Sequence, residues 1–345
     1  MPEGVSLLLV TLRTKGATLC SYPRAWLTGA ISLTSIVVVV AAACLATPAS
    51  GAVQRPLSTP ESGPPPVLAA VSSAVSAPAS ASVLAGGPIV ALGDSYTAGA
   101  LLPIELSGKP IGCLRSPKAY PARVAAALGA PLTDAACSSA GIKDMTTAQS
   151  TFLGTNPPQL NALAPDDALV LVTLGGDDLG FSSVLDECMK LSFTDPWGSP
   201  CQAHYTSGGT DRLAALIKAE APKMATLLTE IAARAPQARI VLVGYPDLFP
   251  LSGGCWPGVP ITDGDIAYLR GLEIKLNAML AAAAKPAGAT FVDTYTPTIG
   301  HDFCQPESVR DVEGLIPGSL ALPFHPNARG QAAIATAILA KIQTS

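Results

Sequence analysis

The sequence predicts an α/β domain built on a parallel, doubly wound sheet. Three observations lead there. Short apolar runs without polar alternation recur along the chain after residue 88, as strands covered on both faces do. Segments with apolar residues at helical spacing lie between them. The residues with reactive side chains follow the ends of the runs, and a doubly wound sheet places its site at the carboxyl ends of its strands.

The elements follow in order. Ile89-Val90-Ala91-Leu92 is a buried strand that closes at Gly93. Pro131 to Ala136 reads as a second, weaker strand. Ala168 to Leu174 is a third and ends at Gly175-Gly176. Leu213, Leu216, Ile217, Ala221, Met224, Leu227, Leu228 and Ile231 mark a helix, with a kink expected at Pro222. Arg239 to Gly244 is the next strand. Tyr268, Leu272, Leu276, Met279 and Leu280 mark the next helix. Ala289 to Asp293 is the last strand. A final helix starts near Pro326, since proline favours the first helical position, and runs through Ile334, Ile338 and Ile342.

The chain of 345 residues holds more than this domain. Residues 1–52 read as a secretory signal or a membrane anchor. Arg13, Lys15 and Arg24 lead an uncharged span from Ala25 to Ala46, and small residues suited to cleavage follow. The span is also close to the roughly 20 residues that cross a bilayer, so an uncleaved anchor with the domain outside is the alternative. Residues 53–87, rich in Pro, Ala and Ser, form a disordered linker. Residues 88–345 are the folded domain. The net charge of -4 excludes the basic face of a nucleic-acid binder, and aromatics at 5% offer no stacking platform. Eight cysteines, six of them after residue 100 and so behind a possible export signal, point to disulfides, with every pairing left open.

Four segments carry chemistry. In Gly93-Asp94-Ser95-Tyr96 a serine occupies a tight strand-to-helix turn, where its hydroxyl is exposed near backbone N–H groups, as a nucleophile requires. Thr97 stands where the second glycine of a Gly-x-Ser-x-Gly elbow would be. His325, just ahead of the last helix, is the candidate base. The positive helix end would keep its imidazole neutral. His204 and His301 lie in loops near cysteines without zinc-site spacing and read as structural or solvent-facing, so no metal is expected. Gly175-Gly176-Asp177-Asp178 and Asp134 to Ala140 follow the other strands. Taken as plain structure, they are a glycine turn with Asp178 capping a helix, and a disulfide-stapled loop.

In this order, these segments resemble the SGNH, or GDSL-type, hydrolases, and most closely the secreted actinobacterial esterases and lipases. Gly244-Tyr245-Pro246, Val292-Asp293 with Tyr295-Thr296-Pro297, and Phe324-His325-Pro326-Asn327 add to the likeness. The resemblance implies a flavodoxin-like three-layer α/β/α sandwich and hydrolysis of small-molecule or lipid esters without cofactor or metal. It also implies three disulfides: Cys113 with Cys137, Cys188 with Cys201, and Cys255 with Cys304. Ser95 becomes the nucleophile and His325 its base. The oxyanion hole is formed by the N–H groups of Ser95 and Ser139 and by the side chain of Asp177. The family has glycine at the Ser139 position and asparagine at the Asp177 position. An ionised carboxylate cannot donate a hydrogen bond, so Asp177 must be protonated to serve there. Leu322 replaces the aspartate that orients the histidine in most members, and the carbonyl of Pro323 takes over that role. A Ser-His dyad is therefore expected. The alternatives are a polysaccharide acetylesterase, a phospholipase, or a secreted binding protein with impaired catalysis. The domain is expected to be a monomer.

Overall fold

The computed structural model describes residues 86–103 and 110–344. The leader over 1–52 and nearly all of the 53–87 linker lie outside the described residues. β1 (Ile89–Gly93) is buried along its whole length, as its unbroken apolar run requires. It is followed by the single-turn α1 (Ser95–Ala98), then α2 (Tyr120–Leu128) and β2 (Leu132–Asp134). A hairpin of β3 (Gln149–Thr151) and β4 (Gly154–Asn156) precedes β5 (Leu169–Thr173). α3 (Phe181–Ser192), α4 (Pro200–Thr206) and α5 (Arg212–Arg234) lead to β6 (Arg239–Val243). α6 (Asp263–Ala284), β7 (Thr290–Val292) and α7 (Ala328–Gln343) complete the order.

The five longer-range strands form one parallel sheet in the order β2-β1-β5-β6-β7. Ile89 pairs with Leu132 on one side and with Leu169 on the other. Chain direction across the sheet reverses at β1, which makes the β1/β5 edge the switch point where such folds open a crevice. Side chains alternate between two cores. Val90, Leu92, Val170, Val172 and Leu242 pack under α5 and α6. Ile89, Leu169, Leu171, Val241 and Val243 pack against α2 and α7 through Tyr120, Val124, Ile334 and Ile338. These layers make the α/β/α sandwich.

α5 continues through Pro222. Two local outcomes differ from the sequence reading. The last helix begins at Ala328, because Asn327 caps it by accepting the N–H groups of Arg329 and Gly330. Pro326 instead pairs in an antiparallel bridge with Val312. The β3–β4 hairpin has no counterpart in the apolar pattern, since its strands are short and largely polar.

The six domain cysteines pair as Cys113–Cys137, Cys188–Cys201 and Cys255–Cys304. No helix among the described residues is long and apolar enough to cross a membrane.

Candidate active site

The carboxyl end of β1 leaves no room for a side chain. A Cβ on Gly93, whose φ is +134°, would meet the Thr173 carbonyl oxygen at 2.2 Å and Thr97 Oγ1 at 2.5 Å. The chain turns at once, and Asp94 caps α1 by accepting the Tyr96 N–H at 2.9 Å. Ser95 is therefore the first residue of a helix, where its own N–H has no helical acceptor. Gln159 clamps the turn with its side-chain amide: it accepts the Gly93 N–H at 2.7 Å and donates to the Gly93 carbonyl at 2.9 Å.

His325 arrives from the other end of the domain. Its Nε2 lies 2.7 Å from Ser95 Oγ. Its Nδ1 lies 2.7 Å from the carbonyl oxygen of Pro323. A carbonyl only accepts, so Nδ1 carries the proton and Nε2 presents its lone pair to the serine hydroxyl. The histidine loop is pinned by paired main-chain bonds: Glu313 N–H donates to the His325 carbonyl, and Phe324 N–H donates to the Glu313 carbonyl, each at 3.0 Å. Burial pushes the imidazole down to about 4, against the smaller opposing effect of the Pro323 carbonyl. The ring sits two residues ahead of the α7 cap.

Asp177 follows β5 and lines the same cleft as Ser95 and His325. Burial first, and then the charges of Asp178 and Asp144, push its carboxyl up to about 6. Asp178 does not cap a helix, contrary to expectation; α3 starts after Gly180. Its carboxylate instead accepts the Ile142 N–H at 2.9 Å and so ties the Asp177 loop to the segment that carries Ser139. That segment runs beside β1, with Cys137 N–H donating to the Gly93 carbonyl at 3.0 Å. Ser139 itself is exposed and holds a left-handed φ of +64°, a conformation glycine adopts freely. It is not among the residues lining the cleft.

The cleft runs between α3, α5 and α6. Leu179, Phe181, Leu213, Ile217, Leu269 and Leu272 make its walls largely apolar. A second recess shares Phe181, Ser182 and His325 with the first. Phe181, Leu185 and Met189, at four-residue spacing along α3, face Leu322 and Phe324 there. Leu322, at the position of the missing acid, thus adds apolar surface. His204 lies exposed in α4 rather than in a loop, and His301 Nδ1 lies 2.8 Å from the Val309 carbonyl oxygen. Among the described residues no group of His, Cys, Asp and Glu is arranged to hold a metal ion.

The model of the GDSL-like lipase/acylhydrolase family matches residues 91–333, a span that begins inside β1 and ends inside α7. The chain belongs to this family. Lipase 2 of Streptomyces coelicolor is 36% identical over 247 residues, covering 70% of this chain and 81% of that protein. Among solved structures, phospholipase A1 from Streptomyces albidoflavus NA297 superposes with a TM-score of 0.63 at 28% identity, covering 74% of this chain and all of that one. The extracellular lipase of Streptomyces rimosus gives 0.61 at 27% identity, with 74% of this chain and 100% of that chain covered. This GDSL-family chain is a carboxylic ester hydrolase of the esterase and lipase type. Sequence reasoning missed the tie from Asp178 to Ile142 and the Gln159 clamp on the serine turn. Neither has a local pattern that could have announced it.

Proposed function

We propose that the chain hydrolyses lipid esters through an acyl-enzyme on Ser95, with His325 as the base. The 2.7 Å approach of Ser95 Oγ and His325 Nε2, where two apolar recesses meet, carries this reading. In the first step His325 takes the serine proton while Ser95 Oγ bonds to the ester carbonyl carbon. The proton then passes from Nε2 to the leaving alcohol as the carbon–oxygen bond breaks. Water repeats the sequence, and its proton goes to His325 before Ser95 Oγ is released. The N–H groups of Ser95 and Ser139 and the protonated carboxyl of Asp177 hold the oxyanion.

The walls favour a lipid over a sugar ester. The cleft under α5 and α6 suits an acyl chain, and the recess along α3 suits an apolar portion on the alcohol side. The relatives named as lipases and as a phospholipase A1 are in line with that preference. Export fits the three disulfides, which persist in oxidising compartments, and the relative described as extracellular. Residues 1–52 would direct it, and 53–87 would tether the domain if the leader stays. The proposed state of the domain is a monomer.

The test is a panel of p-nitrophenyl esters from acetyl to hexadecanoyl, with a phospholipid and an acetylated xylan alongside. The expected result is turnover that extends to long chains and to the phospholipid, with turnover and fluorophosphonate labelling both lost in Ser95→Ala. Release of acetate from the xylan alone would replace the lipid reading with a deacetylase. Inertness of the oxidised, folded protein toward every ester and the probe would leave a binding protein.

A further inference from the structure

Behind the serine and the histidine runs a set of buried hydrogen bonds that acyl transfer does not itself use. Gly176 N–H donates to Tyr245 Oη at 2.8 Å. That hydroxyl donates to Asp94 Oδ2 at 2.5 Å. The other oxygen, Asp94 Oδ1, accepts the Tyr96 N–H. Tyr96 Oη donates to the carbonyl of Phe324 at 2.7 Å. The two phenol rings meet edge to face at 5.0 Å, and the Tyr96 ring lies 4.8 Å from the imidazole of His325. Both tyrosines are buried.

Each end of this chain of bonds touches something the chemistry needs. At one end, Gly176 precedes Asp177, and a Cβ on Gly176 would come within 3.1 Å of the Tyr245 hydroxyl. The Asp177 loop is thus seated directly on Tyr245. At the other end, Phe324 holds a left-handed φ of +62°, which a bulky residue keeps only when its surroundings enforce it. Its N–H is held by Glu313 and its carbonyl by Tyr96. That turn aims the neighbouring Pro323 carbonyl at His325 Nδ1. No acid side chain stands at residue 322 to do so.

We propose that Tyr96 and Tyr245 are positioning residues: Tyr96 holds the turn that orients His325, and Tyr245 holds the Asp177 loop at a set distance from the Ser95 turn. The proposal rests on the Ser95–His325 reading above. It assigns the two hydroxyls different consequences, which separates them from ordinary core packing. Loss of the Tyr96 hydroxyl frees the Phe324 peptide, so the imidazole loses its fixed acceptor. Loss of the Tyr245 hydroxyl frees Gly176 and leaves the imidazole where it was.

The experiment compares wild type, Tyr96→Phe and Tyr245→Phe in oxidised, folded protein. It reads kcat and KM on p-nitrophenyl butyrate, the rate of fluorophosphonate labelling, and the downfield proton line of His325 Nδ1–H, assigned by its absence in His325→Gln. Both variants should lose about 10- to 100-fold in kcat with KM within about twofold, as expected when a reacting group is misplaced rather than removed. The Nδ1–H line should broaden or vanish in Tyr96→Phe and persist in Tyr245→Phe. Full kcat and an unchanged line in Tyr96→Phe overturn the proposal while labelled wild type keeps the dyad standing. Wild type that resists the probe overturns the dyad, and the proposal with it. Should Tyr96→Phe fail to fold, Tyr245→Phe decides: kcat within twofold of wild type overturns the brace.

Discussion

His325 is oriented by a residue two positions before it: the Pro323 carbonyl accepts the imidazole Nδ1–H at 2.7 Å. A carbonyl dipole fixes the tautomer as a triad carboxylate does, but it returns less stabilisation when the ring becomes charged. Burial pushes this imidazole down to about 4, and the carbonyl offsets only part of that. The base is therefore unprotonated over a wide pH range, and other groups set the upper end of the activity profile.

Asp177 is the group expected to set it. Its carboxyl, raised to about 6, donates only while protonated, so its contribution falls as pH rises through that value. His325 loses its lone pair as pH falls toward about 4. The kcat/KM of the wild type should then peak between these limits. Asp177→Asn keeps a donor at every pH, removes the alkaline limb and raises the rate at pH 8 by about tenfold or more. A wild-type profile that is flat from pH 6 to 9 takes Asp177 out of the oxyanion hole.

Ser139 holds its left-handed φ of +64° with a side chain that glycine would lack. Ser139→Gly should relieve about 1 kcal/mol of backbone strain. A domain of this size then melts about 2 to 4 °C higher, as calorimetry would show. Ester turnover should stay within about twofold, because the proposed donor is the backbone N–H. A loss beyond tenfold would mean that the serine side chain itself takes part.

Leu213, buried at the start of α5, forms part of the cleft wall. Leu213→Phe shortens the space for an acyl chain, and a change of about one methylene in an apolar pocket is worth roughly 1–3 kcal/mol. The kcat/KM for a dodecanoyl ester should fall about tenfold or more while that for the acetyl ester stays within about threefold. Equal losses at every chain length would put the acyl chain elsewhere.

Cys113–Cys137 closes a loop with a sequence separation of 24. Ser138 leans on it, with its N–H and Oγ both bonded to the Cys113 carbonyl at 3.1 and 3.0 Å. Replacing the pair by alanine should cost about 3 to 4 kcal/mol through the freed unfolded chain. Turnover at 25 °C should also drop, since Ser139 follows directly. A melting temperature unchanged by the double substitution would show that the loop is held without the bond.

β1, β5 and β6 were legible because each is a short apolar run closed by a glycine or polar residue, as in Ile89 to Gly93, whereas the short polar β3 and β4 were not. Ser95 and His325 were legible because their neighbours carry a motif. The ties between segments were not. Asp178 with Ile142, Gln159 with Gly93 and Tyr96 with Phe324 join residues 36, 66 and 228 positions apart, and no local periodicity encodes such pairs. The start of α7 was misjudged because two starting signals stand side by side. Pro326 favours a first helical position, but it is engaged with Val312, and Asn327 supplies the cap.

A support made of main chain has an evolutionary consequence. A triad acid disappears with one codon change, whereas every amino acid at position 323 would still bring a carbonyl. Saturation mutagenesis should thus find position 322 permissive. Sensitivity should concentrate instead on residues that shape the bend, which is an unusual distribution of fragility for a hydrolytic centre.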